Sequence, residues 1–211
     1  MKYKKHLFLL LLLSSITTSC GLMITQRIFF GVKKPKVQTT NNIQNFIRKN
    51  NGVESTFSLD KESFLLRISN SSKYFAKWEL YNVDGYSIIP LDSNINHCNS
   101  NTYSFFNNFQ HKNYYIDSTV NINTDTVLVN GLKLLNGEGL EFQAIEKADY
   151  LLVIYWASFM GKYSSDLFEL ERVATNNALV NINTIKINMD FKKHYEITND
   201  KLKIEQKVKR K

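Results

Sequence analysis

The most informative hydrophobic pattern lies between Asp149 and Asp190. Tyr150-Leu151-Leu152-Val153-Ile154-Tyr155-Trp156 is an unbroken apolar and aromatic run. A run that does not alternate predicts a strand covered on both faces, as in the interior of a parallel sheet, and its shortness and β-branched and aromatic content favour strand over buried helix. A loop from Ala157 to Tyr163 follows. From about Ser164 to Asn176, Leu167, Leu170, Val173 and Ala174 recur at three- and four-residue steps, one apolar stripe of a helix. Asp166 and Glu169 suit its start, and Asn176-Asn177 its stop. Ile185, Ile187 and Met189 then alternate with Thr184, Lys186 and Asn188, which predicts a strand from Ile182 to Met189 ending on Asp190. Strand, crossover helix and strand build a parallel sheet, so the fold class is α/β.

Upstream, Thr39 to Asn51 reads as a helix with Ile43, Phe46 and Ile47 on one face, Thr40 as its cap and Gly52 as its stop. Asp60 to Asn70 repeats the pattern with Phe64, Leu65 and Ile68. Ala76, Trp78 and Leu80 alternate with Lys77 and Glu79, Asp84-Gly85 supplies a turn, and Tyr86 to Leu91 returns, which predicts a hairpin. Pro90 falls near a strand end, where its missing donor is tolerated. Asn101 to Phe109 reads as a helix presenting Thr102, Phe105, Phe106 and Phe109. Residues 110–149 read as a connection, with a helix from Thr124 to Leu135 and a turn at Asn136-Gly137-Glu138-Gly139.

The N-terminus changes the picture of location. Lys2, Lys4, Lys5 and His6 precede an apolar core from Leu7 to Leu13, far shorter than the roughly 20 residues of a membrane span. This reads as a signal peptide. Thr17-Thr18-Ser19-Cys20-Gly21 resembles the cleavage box of bacterial lipoproteins, in which the cysteine is lipidated and becomes the first residue; Thr17 stands where an aliphatic residue is usual. An ordinary signal peptide cut nearby is the alternative. The expected organisation is a lipoprotein signal peptide over residues 1–19, a tether over 20–38, one domain over 39–198 and a basic disordered tail over 199–211. Residues 1–19 carry three Lys and no acid, so their removal leaves 192 residues and lowers the net charge from +8 to +5. Lys201 to Lys211 holds five Lys and one Arg against Glu205, so the body is close to neutral. Such a tail is usually solvated, with an anionic surface as the alternative partner. An exported chain is not expected to meet nucleic acid.

The stretch from Asp149 to Asp190 resembles the thioredoxin-like superfamily. Members carry Trp-Ala-x-x-Cys-Gly-x-Cys at the exit of a buried central strand. This chain reads Trp156-Ala157-Ser158-Phe159-Met160-Gly161-Lys162-Tyr163, so Trp156, Ala157 and Gly161 match. Met160 and Tyr163 stand where the cysteines would be. The resemblance implies a three-layer sandwich on a mixed central sheet. It also implies an exchange of halves. The family runs strand–helix–strand first and hairpin–helix second, whereas here helix, hairpin and helix come first. A permuted order predicts that the strand of Trp78 pairs antiparallel with the strand of Val153. The family's cis-proline has no counterpart, since Tyr74, Phe75 and Ala76 lead into the hairpin.

The two substitutions decide the expected chemistry. Thiol–disulfide exchange needs a thiolate attacker and a resolving thiol. A thioether cannot ionise, and a tyrosine hydroxyl does so only near pH 10. The degenerate loop of Trp156, Ala157, Met160, Gly161 and Tyr163 is therefore expected to be redox-inactive, with no catalytic residue. If Cys20 carries lipid, Cys98 is the one thiol left. It lies in His97-Cys98-Asn99, short of the four ligands of a structural zinc site. A packed cysteine is one reading and a single-thiol redox accessory or enzyme the other. His6, His97, His111 and His194 are scattered, and no phosphate loop, His-Glu-x-x-His or Gly-x-Ser-x-Gly occurs. No cofactor or metal is expected. The expectation is a lipid-anchored cell-envelope protein, attached to the inner or outer membrane through Cys20 and serving as a binding or scaffold module for another envelope protein.

Overall fold

The computed structural model describes residues 27–50, 56–92, 99–109, 113–135 and 148–197. Seven strands form one mixed sheet in the order β4-β3-β2-β6-β7-β1-β5. They are β1 (Thr56–Leu59), β2 (Ala76–Asn82), β3 (Tyr86–Pro90), β4 (Tyr114–Asn121), β5 (Leu132–Leu134), β6 (Tyr150–Trp156) and β7 (Ile182–Asn188). The unbroken apolar run is β6, the middle strand. It pairs parallel with β7, Val153 opposite Ile185, and antiparallel with β2, Trp78 opposite Ile154. β7 also pairs parallel with β1, and antiparallel strands close both ends of the sheet.

Helices cover both faces, which makes the molecule an α/β sandwich. On one face lie α1 (Thr40–Lys49), α3 (Asn99–Asn107) and α5 (Lys162–Thr175). Ile43 and Ile47 of α1, Phe105 and Phe106 of α3, and Leu167 and Phe168 of α5 meet Leu152, Ile154 and Trp156 of β6 there. The other face is covered by α2 (Lys61–Asn70), α4 (Thr126–Gly131) and a 3₁₀ turn at Lys193–Tyr195. Phe64, Leu128 and Tyr195 pack there on Val153, Tyr155 and Ile187. Alternate residues of β6 thus feed two separate cores, the physical reason its sequence shows no polar position. The Arg67 guanidinium closes the second layer. It pairs with Asp125 at 2.6 Å and lies over the rings of Tyr74 and Tyr155 at 4.8 and 5.4 Å.

Several expected elements shift. Thr39, not Thr40, caps α1 by accepting the Asn42 N–H at 3.3 Å. Asp60 caps α2 through the Ser63 N–H at 2.8 Å. α5 begins at Lys162, so Asp166 lies inside the helix and does not cap it. The helix expected from Thr124 to Leu135 stops at Gly131 and becomes β5. A Cβ on Gly131 would stand 2.0 Å from Ser63 Oγ, so glycine allows the end of α4 to touch the start of α2. The connection at 110–149 contains β4, whose side chains are mostly exposed and show no apolar face to a sequence reading. β1, with four residues, is too short to display a period in the sequence. The Asp84-Gly85 turn forms as expected, with Gly85 at φ +86° and its N–H donating to Asn82 O at 2.9 Å. Gly52 and the turn at 136–139 lie outside the described residues.

Among the buried charged residues, Arg67, Lys186, Asp190 and Lys192, the lysine of β7 has a carboxylate partner on the helix above it. Lys186 of β7 is 1% exposed, and its Nζ donates to both carboxylate oxygens of Glu171 on α5 at 2.6 Å. Glu171→Gln would leave that ammonium buried without its counter-charge. It should lower the urea-unfolding free energy by about 3–5 kcal/mol, whereas Glu171→Leu with Lys186→Met should restore it to near wild type.

Candidate functional site

The loop leaving β6 is held by the strand beside it. The Met189 N–H donates to Trp156 O at 2.7 Å, continuing the ladder one residue past β7. Asp190 then reaches across. It accepts from the Ser158 N–H at 3.0 and 3.1 Å, from Ser158 Oγ at 2.8 Å and from Asn188 Nδ2 at 2.9 Å. Ser164, in the first turn of α5, holds the other side of the loop. Its hydroxyl donates to Ala157 O at 2.8 Å and accepts the Ala157 N–H at 3.3 Å. The backbone groups of Ala157 and the Ser158 N–H are thus satisfied inside the protein, as buried backbone requires.

Asp190 is fully buried. Burial raises its carboxyl above the ordinary range, while the hydrogen bonds from Asn188 and Ser158 and the nearby Lys192 charge pull it back down. Lys192 is 4% exposed, and its Nζ has no hydrogen-bond partner among the described residues. Burial lowers its ammonium from the ordinary 10.5 to about 8, against the attraction of Asp190.

Trp156, Ala157, Met160, Gly161 and Tyr163 come together around this loop. Trp156 is fully buried, stacked on Phe46 at 5.5 Å and edge-on to Phe168 at 4.9 Å. Ala157 is fully buried as well. Met160 is half-buried and reaches the rim of a groove of about 600 Å³ that also touches Trp78, Tyr103 and Tyr163. Tyr163 stacks on Phe30, centroids 4.6 Å apart and planes within 9°. Cys20 and Cys98 lie outside the described residues, as do His97 and His111.

The sequence reading missed what covers the loop. Residues 27–38, within the expected tether, are docked on it. The Lys33 N–H donates to Phe159 O at 2.7 Å, the Gln38 N–H donates to Phe191 O at 2.7 Å, and Gln38 bridges Lys192 in parallel. Gly161 makes this approach possible. It sits at φ +58° and ψ −121°, and an added Cβ would stand 2.4 Å from Phe30 O and 2.5 Å from Gly31 O. No repeat or charge pattern announces such a contact; the aromatic pair Phe29-Phe30 in a segment read as linker was the available signal.

No group of three or more His, Cys, Asp and Glu among the described residues could hold a metal ion. No described helix is long and apolar enough to cross a membrane. No family model matches the chain, and neither a curated protein nor a solved structure matches it at a significant level.

Two measurements probe this geometry. Gly161→Ala adds a side chain where φ is positive and backbone lies in the way, and should destabilise the fold by about 2–3 kcal/mol in urea while loosening residues 27–34 to proteolysis. Lys192 gives a pH signature. Between about 8 and 10.5 the unfolded chain keeps a proton on Lys192 that the folded chain has released, so stability rises with pH across that window and the gain is lost as pH falls through 8. Relative to Lys192→Met, the wild type should gain on the order of 3 kcal/mol from pH 8 to 10.5.

Proposed function

We propose that the chain is a lipid-anchored protein of the bacterial cell envelope whose thioredoxin-like domain has lost its thiol chemistry and serves as a binding or scaffold module. One observation carries the reading: β2 pairs antiparallel beside β6, with Trp78 opposite Ile154. That register supports a thioredoxin-like layer with its halves exchanged in chain order. β6, α5 and β7 would be the strand–helix–strand half, and β2, β3 and α3 the hairpin–helix half.

The chemistry follows from the loop. Met160 and Tyr163 occupy the positions of the family's two cysteines, and neither can supply a thiolate or resolve a mixed disulfide. Tyr163 is also capped by Phe30, and the loop is closed by Asp190 and Ser164. A hydrogen-bonded loop without a thiol suits presentation of a surface to another envelope protein better than disulfide turnover. The groove beside Met160 and Trp78 is the place where such a partner would sit. Attachment to the membrane would come through lipid on Cys20.

Metabolic labelling with a radioactive fatty acid should mark the wild-type chain and leave Cys20→Ala unmarked. The purified protein should show no reduction of a disulfide substrate above the uncatalysed rate. Turnover that Cys98→Ser abolishes would contradict the proposal and establish single-thiol chemistry instead.

A further inference from the structure

The segment between the lipidation position and the domain has a one-sided charge. No Asp or Glu precedes Glu54 in the chain. The structure gathers the consequence into a cleft of about 1080 Å³ where residues 27–38 cross the mouth of the loop after β6. Arg27, Lys33, Lys34, Lys36, Lys49 and Lys162 line it, and no acidic residue does. All six cations are exposed, and no described salt bridge engages any of them. At the same end, Ile28 and Phe29 are 71% and 70% exposed, two large apolar side chains in sequence where a solvated surface gains nothing from them.

We infer that this surface is a second membrane contact. Ile28 and Phe29 enter the interfacial region of the bilayer, and the six cations meet the phosphates of anionic phospholipid headgroups. The inference rests on the lipid anchor proposed above. Ile28 lies eight positions after Cys20, at most about 30 Å of extended chain, so an acylated Cys20 would hold this end of the domain at the bilayer surface. An apolar tip backed by basic residues is the chemistry of interfacial binding. The contact fixes how the domain sits: the cleft and the N-terminal end of α5 face the lipid.

The test uses the full chain, lipidated, on vesicles of phosphatidylcholine alone and of phosphatidylcholine mixed with phosphatidylglycerol. Lysine acylation is followed site by site by mass spectrometry. On the anionic vesicles Lys33, Lys34, Lys36, Lys49 and Lys162 should react about fivefold more slowly than on neutral ones, and added salt should erase the difference. Lys33→Glu with Lys34→Glu, both at exposed positions, should abolish protection of the remaining three without changing flotation. Equal acylation on the two vesicle types would overturn the inference. So would equal protection by inorganic phosphate added to neutral vesicles, which would make the cleft a small-anion site. Failure of the anchor itself reads out separately, as a Cys20→Ala chain that floats with neutral vesicles as well as the wild type does.

Discussion

The arrangement of the molecule depends on burying both faces of β6. A strand with no polar side chain can be accommodated only where helices cover each side of the sheet. That requirement places β6 fourth of seven strands and recruits α1, α3 and α5 to one layer and α2 and α4 to the other. It also fixes the loop. A strand buried to its last residue delivers its exit below the surface, so the backbone groups at Ala157 and Ser158 must be satisfied by the protein. Ser164 does this from α5, and Asp190 from just past the end of β7. The loop's shape is thus a consequence of burial and hydrogen bonding, and neither requires a thiol at residues 160 and 163.

What could be read from the sequence follows the same logic. α5 and β7 stood out because a buried stripe or face writes a strong period, and β6 because burial on both faces leaves an unbroken apolar run. The hairpin of β2 and β3 was visible through its alternation and through Asp84-Gly85. β4 and β5 were not, because sheet ends are half solvated and their side chains carry no clear alternation; β5 was also absorbed into a helix whose end depends on a contact between Gly131 and Ser63. At the site, the loop residues were found by order in the chain. The function of Gly161 was not, because its constraint comes from Phe30 and Gly31, more than a hundred residues earlier. Lys192 was invisible for a similar reason: a lysine near the end of the domain reads as surface, and only packing buries it.

The docking of residues 27–38 ties the N-terminal segment to the loop after β6. These residues close the loop with Phe30, cross Gly161 and line up their lysines on the outer side. One segment therefore seals the loop after β6 and turns a basic, partly apolar surface toward whatever lies on the N-terminal side of the domain. A chain tied to a bilayer at Cys20 would have that surface against lipid and the groove beside Trp78 and Met160 available to a protein.

The central place of β6 is open to a direct measurement by native-state hydrogen exchange. If both of its faces are buried and both edges paired, the amides of Leu152 to Tyr155 open only with the whole domain, and their exchange free energies equal that of global unfolding measured in urea. Amides in β6 that exchange through local opening, or faster than those of β3 and β4, would contradict the account.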